Sequence, residues 1–177
     1  MQYSDELLHR ARRVRLFLCD VDGVLTAGTV TMGGGVESKT FHIRDGLGLR
    51  LLQREAGIRV GWISARPSDA TSMRAADLKV DFLHQSSLPK VEAIGNLLEE
   101  TRLTWDEVFY MGDDVVDLGA LKRAGLAAAP ADAILEARAL AHFVTLQPGG
   151  HGAVREATDL ILKAQGHWER VIAKFTS

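Results

Sequence analysis

The sequence has a single cysteine, Cys19, which excludes an internal disulfide framework and fits a buried structural thiol inside an apolar run. It also has little net charge: 21 basic and 23 acidic side chains leave −2, which gives no support for binding nucleic acid or a membrane surface. No apolar run approaches the length of a membrane span, and the first residues lack the apolar core of a signal peptide. We therefore expect a cytoplasmic protein.

The sequence also lacks linkers, repeats and low-complexity segments, and 46% of its 177 residues are hydrophobic. These properties predict one globular domain over residues 1–177, with a core of about 15–166, a hairpin at 28–43 and a tail at 167–177. Trp168 and Phe175 would allow the tail to dock, but fraying is the default expectation. The glycines of the hairpin are not a phosphate-binding P-loop, because no Gly-Lys-Ser/Thr follows them. The six histidines show no paired metal-ligand spacing.

Short apolar runs alternate with helical patterns along the chain, which predicts a doubly wound, mostly parallel α/β sheet of the Rossmann-like kind. The predicted strands are Arg15–Asp20, Ile58–Ser64, Val80–Leu83, Val108–Met111, Leu126–Ala129 and His142–Thr145. The predicted helices are Gly46–Glu55, Asp69–Leu78, Pro89–Thr101, Val116–Ala124, Ala131–Ala139 and Ala153–Gln165, after a short helix that ends before the first strand.

The first strand delivers two acids, Asp20 and Asp22, onto a glycine-containing loop. Neighbouring carboxylates repel each other unless a cation or a shared proton compensates them. The pair therefore indicates a site for a hard metal ion, and Mg²⁺ is expected because it prefers oxygen ligands. Alone, the stretch could also be an ordinary Asp-Gly turn after a strand.

Other polar residues follow the later strands. A second acid cluster, Asp113, Asp114 and Asp117, comes after the fourth strand, Ser64 ends the second, and Lys90 follows a turn. Ligands of open α/β sheets lie at the carboxyl ends of the strands, so we expect these groups to converge. Each has a plainer interpretation, because a lone lysine is usually a solvated surface charge and a serine can simply end a strand.

One segment interrupts the alternation directly after the acid pair. Residues 29–32 and 37–43 flank Gly33-Gly34-Gly35, which predicts a β-hairpin over the strand ends. Its apolar side chains are difficult for a monomer of this size to bury, which favours an oligomer interface. They are Val30, Met32, Val36, Phe41 and Ile43.

The strand-end groups together resemble the four-motif set of the haloacid dehalogenase superfamily, mostly Mg²⁺-dependent phosphohydrolases. The matching residues are Asp20-Val-Asp22-Gly23-Val-Leu-Thr26, Ser64, Lys90 and Gly112-Asp113-Asp114-x-x-Asp117. The resemblance implies that Asp20 is the nucleophile and Asp22 the general acid and base. It implies that Ser64 and Lys90 contact the phosphoryl group, that Asp114 and Asp117 support the site, and that Mg²⁺ is held by Asp20, Asp113 and the Asp22 backbone carbonyl.

Three longer segments resemble a subgroup of that superfamily, the 3-deoxy-D-manno-octulosonate 8-phosphate (KDO 8-phosphate) phosphatases. They are residues 41–46, 149–156 and 159–166. The resemblance implies a homotetramer without a cap domain, with hairpins packed together and neighbouring subunits covering each site. It implies an acidic sugar phosphate of cell-envelope biosynthesis as substrate. The implied substrate contacts are His42, Ile43, Arg44, Asp45, Gly46, Arg50, Ala65, Arg66, Arg74 and Lys90.

Some positions depart from the subgroup pattern: Ala27 replaces an aspartate, and Ala65 and Ser86 replace glycines. None removes a catalytic group, but they leave open a nine-carbon substrate such as KDN or sialic acid 9-phosphate. A function of another class, a non-catalytic scaffold or regulatory subunit of a sugar-activating enzyme, also stays open, although the intact acid, hydroxyl and lysine set weighs against it. A mutase is disfavoured because no segment is large enough for a cap.

Overall fold

The computed structural model describes residues 3–176. Its strands are β1 Leu16–Cys19, β2 Thr31–Gly33, β3 Val36–Ser38, β4 Arg59–Ser64, β5 Phe82–Gln85, β6 Val108–Met111, β7 Leu126–Ala129 and β8 Phe143–Val144. Six of them form a sheet in the order β5-β4-β1-β6-β7-β8, in which every neighbouring pair is parallel. The chain builds outward from β1 to one edge and then returns to β6, so the strand order reverses beside β1.

Helices cover both faces of this sheet. They are α1 Asp5–Arg13, α2 Ile43–Leu51, α3 Asp69–Asp77, α4 Lys90–Thr101, α5 Leu118–Leu121, α6 Leu135–Leu140, α7 Ala153–Ala164 and α8 Trp168–Thr176. Alternate residues of β1 enter different cores, because successive strand side chains point to opposite faces. Phe17 packs in the core beneath α1, α2 and α7, whereas Leu16 and Leu18 pack in the core beneath α4, α5 and α6. The predicted doubly wound α/β class is confirmed.

Strands β6 and β7 have the predicted bounds, but β5 begins two residues later than predicted. Lys79 adopts a left-handed conformation with φ of 51°, and the Val80 backbone N–H donates to the Ala75 carbonyl. This contact closes the end of α3, since backbone N–H groups beyond a helix commonly satisfy its last carbonyls. Val80 therefore belongs to the end of α3, and strand β5 begins at Phe82.

The hairpin is present but shorter than predicted. β2 and β3 pair antiparallel over three residues each, and Ile43 begins α2 instead of ending a strand. Phe41 leaves the hairpin and stacks on the buried Trp62, with ring centroids 6.1 Å apart. Within residues 3–176 no insertion between strands is long enough to form a cap domain.

Two predicted helices are shorter for identifiable reasons. The predicted 116–124 helix starts as a 3₁₀ turn, Val115–Asp117, which the Asp114 side chain caps, and continues only over α5. The predicted 131–139 helix loses its first turn because the Ile134 N–H, which would donate to the Pro130 carbonyl in a helix, donates instead to the Asp113 carbonyl. Backbone groups already bonded elsewhere cannot join a helical ladder.

The prediction of a fraying tail was wrong for residues 168–176, which form α8. Val171 is buried against the core, and Arg170 and Lys174 form ion pairs with Glu55. Ser177 lies outside the described residues. In the described part of the chain, no helix combines the length and apolarity that crossing a membrane requires.

Candidate active site

The predicted acids and hydroxyl meet at one edge of the sheet. Asp20, Ser64 and Asp113 stand at or just beyond the ends of β1, β4 and β6, which are adjacent parallel strands. The Asp20 N–H donates to the Met111 carbonyl at 2.9 Å, so the strand ladder continues one residue past β1 and fixes the Asp20 backbone. A cavity of about 310 Å³ opens here, and its walls include Asp20, Asp22, Ser64, Ala65, Arg66 and Asp113.

Asp20 is held from both sides and is only 7% exposed. One carboxylate oxygen accepts the Val21 N–H at 2.6 Å, and the other lies 2.7 Å from the Lys90 ammonium. Burial raises the pKa of Asp20 to about 6, although Lys90 acts in the opposite direction. The carboxylate is therefore fixed at the cavity wall and able to act as a nucleophile once it is ionised.

Lys90 begins α4 and joins the two acid loops. Its ammonium lies 2.7 Å from Asp20 and 2.6 Å from Asp117, and the residue is 5% exposed. Burial alone would lower the pKa of Lys90, but the two carboxylates outweigh it and the pKa is raised. The surface-charge interpretation of Lys90 is thus excluded.

Asp117 organises the second acid loop from beneath. One of its oxygens accepts from Lys90 and from the Tyr110 hydroxyl, both at 2.6 Å. The other oxygen accepts the backbone N–H groups of Asp113 and Asp114 at 3.1 and 3.3 Å. Asp117 is fully buried, and every one of these contacts shapes the loop that carries Asp113.

Asp113 has the properties of a metal ligand. One of its carboxylate oxygens is buried without a hydrogen-bond partner, and burial together with the charges of Asp117 and Asp20 raises its pKa to about 7. Carboxylate oxygens of these three acids lie within 4.8 Å of one another. Such a set suits a hard divalent cation. Asp20 and Asp113 are the better ligands, because Lys90, Tyr110 and two backbone N–H groups already occupy Asp117.

A glycine makes room for this acid. Gly23 has a φ of +89°, which L side chains rarely adopt, and a Cβ built on it would overlap the Asp113 carboxylate. The glycine of the first motif therefore serves both the turn after Asp22 and the space that Asp113 needs.

Three further predicted residues face the same cavity. Asp22 pairs with the Lys39 ammonium through both carboxylate oxygens, at 2.7 and 2.8 Å. The Ser64 hydroxyl is buried and bonded to the backbone of Arg66, at 3.1 Å both to its N–H and to its carbonyl. Arg66 lines the cavity, and its guanidinium forms an ion pair with Glu37 of the hairpin.

The remaining predicted sugar contacts lie outside this cavity in a single copy of the chain. Arg50 donates to the Leu78 carbonyl at 3.0 Å, and Arg74 lies 2.5 Å from Asp77 on the wall of a separate cavity of about 450 Å³. Asp45 is buried and accepts the Arg155 N–H at 2.7 Å. The other predicted contacts, His42, Ile43, Arg44 and Gly46, lie around it at the start of α2.

Two residues that touch the site acids were not predicted from the sequence. Lys39 follows the hairpin as a lone lysine in a polar stretch, and Tyr110 is one apolar-strand residue among several. For Tyr110, the alternation of side chains along the strand could have predicted the face of the sheet on which it lies. That face is the one of Leu16 and Leu18, and Tyr110 packs in the same core.

Comparison with known proteins agrees with this geometry. Residues 63–156 match the family model of the haloacid dehalogenase-like hydrolases. The 3-deoxy-D-manno-octulosonate 8-phosphate phosphatase of Yersinia pestis is 40% identical over 167 residues, which cover 94% of this chain and 89% of the relative.

Solved structures are similar over nearly the whole fold. The KDO 8-phosphate phosphatase of Moraxella catarrhalis, solved with magnesium, phosphate and KDO, superposes with a TM-score of 0.95 at 34% identity, covering 98% of this chain and 99% of that one. The cobalt-bound enzyme of Haemophilus influenzae superposes with a TM-score of 0.84 at 37% identity, covering 89% and 92%. This chain therefore belongs to the haloacid dehalogenase-like hydrolase family.

Proposed function

We propose that this chain is a Mg²⁺-dependent phosphatase that hydrolyses KDO 8-phosphate to KDO and phosphate, a step in the biosynthesis of a lipopolysaccharide sugar. The observation that carries the proposal is the buried Asp20 carboxylate, which Lys90 fixes on one side while the unpaired oxygen of Asp113 lies close by. Relatives named for this activity, at about 40% identity over most of the chain, support the choice of substrate.

In the first half-reaction Asp20 attacks the phosphorus atom, and the bond between phosphorus and the sugar oxygen breaks. Asp22 donates a proton to that oxygen, so the sugar leaves as a neutral alcohol. Lys90 and Ser64 bind phosphoryl oxygens, where removal of one such contact typically costs about 10²–10³-fold in rate. The product on the protein is an aspartyl-phosphate at Asp20.

In the second half-reaction a water molecule attacks the same phosphorus atom. Asp22 accepts a proton from this water, the bond between Asp20 and phosphorus breaks, and phosphate leaves with Asp20 restored as a carboxylate. Mg²⁺, bound by Asp20, Asp113 and the Asp22 backbone carbonyl, would neutralise the repulsion between the nucleophilic carboxylate and the phosphate. Asp114 and Asp117 keep the loop of Asp113 in place.

We also propose that the active form is a cytoplasmic homotetramer in which residues 1–177 act as one catalytic domain. Support comes from the hairpin, where Met32 and Val36 are 70% and 67% exposed. Within one copy, Arg66 is the arginine among the predicted substrate contacts that lines the cavity. The predicted contacts from His42 to Gly46, with Arg50 and Arg74, would serve the sugar only where a neighbouring copy completes the site.

The test is phosphate release, with and without Mg²⁺, from KDO 8-phosphate, KDN 9-phosphate and simple hexose phosphates. We expect Mg²⁺-dependent release with a preference for the eight-carbon acid. Preference for the nine-carbon acid would keep the chemistry and overturn the substrate. No release from any of them would overturn the phosphatase and favour a scaffold function.

A further inference from the structure

The side chain of Lys39 is buried in a segment where most side chains are exposed. Lys39 directly follows the exposed hairpin strand β3, yet its side chain is 0% exposed. Burying an ammonium group is costly unless it is paired, so the position requires close anionic partners. Those partners are both oxygens of Asp22, at 2.7 and 2.8 Å.

The contact continues through alternating charges to Arg66, another residue of the cavity wall. The Lys39 ammonium lies 3.9 Å from a carboxylate oxygen of Glu37, and the other oxygen of Glu37 bonds to the Arg66 guanidinium. The charged chain Arg66–Glu37–Lys39–Asp22 thus connects the loop after β4, the hairpin and the loop after β1. Ion pairs that share partners hold their side chains better than isolated pairs do.

Asp22 needs such support more than Asp20 does. Asp20 is fixed by a backbone N–H and by Lys90, whereas the Asp22 side chain is 27% exposed beside a turn. A general acid must lie within hydrogen-bond reach of the atom that it protonates, and a carboxylate free to rotate spends little time there. The hydrogen bond from Lys39 to Oδ2 restricts that rotation, while Oδ1, which accepts no hydrogen bond, is left to carry the proton.

We propose that Lys39 is a positioning residue that orients Asp22 for proton transfer, with Glu37 and Arg66 keeping Lys39 in place. The inference rests on the proposed function, because it assigns a role to Asp22 as acid and base. The Lys39 ammonium contacts the Asp22 carboxylate, so Lys39 acts on the reaction through Asp22.

The experiment compares Lys39→Met with the wild type by kcat/KM on two substrates. The value of kcat/KM reports the steps up to departure of the alcohol. KDO 8-phosphate has a poor leaving group that needs a proton, whereas p-nitrophenyl phosphate releases a phenolate that does not. General acid catalysis contributes about 10²–10⁴-fold, so we expect a loss of about 10²-fold on the sugar phosphate and a much smaller one on the aryl phosphate. Equal losses on both substrates, or none on either, would overturn the proposal.

A double-mutant cycle provides an independent readout. If Lys39 acts through Asp22, Lys39→Met in an Asp22→Asn background should cause almost no further loss, because coupled residues are not additive. Full additivity of the two losses would contradict the proposal. Lys39→Arg, which keeps the charge, should recover part of the sugar-phosphate activity.

Lys122→Met is the matched control, because Lys122 is an exposed lysine beyond α5, and it should leave both substrates unaffected. Thermal unfolding and Mg²⁺ titration establish that Lys39→Met is folded. If Lys39→Met does not fold, Glu37→Gln provides the same comparison. We expect a smaller loss of kcat/KM than for Lys39→Met, confined to the sugar phosphate. Equal losses on the two substrates would contradict the inference. An inactive wild type would instead count against the proposed function.

Discussion

The Lys90 ammonium lies 2.6 Å from an Asp117 carboxylate oxygen, and neither side chain is more than 3% exposed. The same ammonium lies 2.7 Å from Asp20, and Asp113 completes the acid cluster. Three carboxylates against one ammonium leave two negative charges when all are ionised. A divalent cation would neutralise the cluster, so the charges of these four side chains favour binding of such an ion.

Replacing Asp117 with alanine should destabilise the fold strongly. The substitution leaves the Lys90 ammonium, the Tyr110 hydroxyl and two backbone N–H groups without their shared acceptor. Breaking a buried ion pair by removing one partner costs about 3–5 kcal/mol. Urea unfolding of the metal-free protein measures this loss directly.

The control for that measurement is Asp114→Ala, three residues earlier in the same loop. Asp114 is exposed and caps the 3₁₀ turn, so its loss should cost about 1 kcal/mol. Similar losses for the two variants would show that Asp117 is not the centre of the loop.

The stability of the metal-free protein should fall as the pH rises from about 5 to about 8. The pKa values of Asp20 and Asp113 are about 6 and about 7 in the fold, above the ordinary 3.8. Between those values the native state holds more protons than the unfolded state, so unfolding becomes easier with rising pH. Thermal unfolding with a chelator present, at both ends of this range, measures the effect.

Added Mg²⁺ should reverse that trend, because only the ionised carboxylates bind it. The increase in unfolding temperature with Mg²⁺ should therefore be larger at about pH 8 than at about pH 5. Asp113→Asn should weaken the pH dependence of the metal-free protein's stability and the pH dependence of the Mg²⁺ effect. An equal Mg²⁺ effect at the two pH values would mean that these acids do not hold the ion.

Gly23→Ala should weaken Mg²⁺ binding by about 10–100-fold, the usual effect of disturbing the surroundings of a metal ligand. The added methyl group would displace the Asp113 carboxylate, and the φ of +89° adds backbone strain. Isothermal titration with Mg²⁺ measures the loss.

Gly34→Ala is its matched control, with a φ of +57° but open space around the new methyl group. It should carry a similar strain of about 1–3 kcal/mol and bind Mg²⁺ normally. Normal binding by Gly23→Ala would indicate that Asp113 is not a ligand.

Met32→Asp in the hairpin should reduce the proposed tetramer to smaller species. A charge in an apolar subunit contact is unpaired when buried, which strongly disfavours association. Light scattering after gel filtration gives the mass. The control is Leu135→Asp, at an equally exposed position on α6, which should leave the mass unchanged. If Met32→Asp also leaves the mass unchanged, the subunit interface lies elsewhere.

Much of the sheet and its acid edge could be predicted from the sequence, because these features are local. The apolar runs of β6 and β7 match their observed bounds, and Asp20, Ser64 and Asp113 follow directly from strand ends. Parallel strands then bring these residues together without any knowledge of the packing.

What the sequence did not reveal depends on contacts between distant segments. Tail residues 168–176 form a helix because Val171 reaches the core and Glu55, over one hundred positions earlier, supplies its ion pairs. Lys39 meets Asp22 only because the hairpin folds back over the loop after β1. Such pairings leave no periodic pattern in the sequence.

Phosphate release from KDO 8-phosphate by Asp20→Asn tests the central claim most directly, with the wild type and Asp114→Asn beside it. Asparagine keeps the shape of Asp20 but lacks the charge to attack phosphorus. We predict Mg²⁺-dependent release by the wild type, substantial release by Asp114→Asn, and none above background by Asp20→Asn. Full Mg²⁺-dependent turnover by Asp20→Asn would contradict the account.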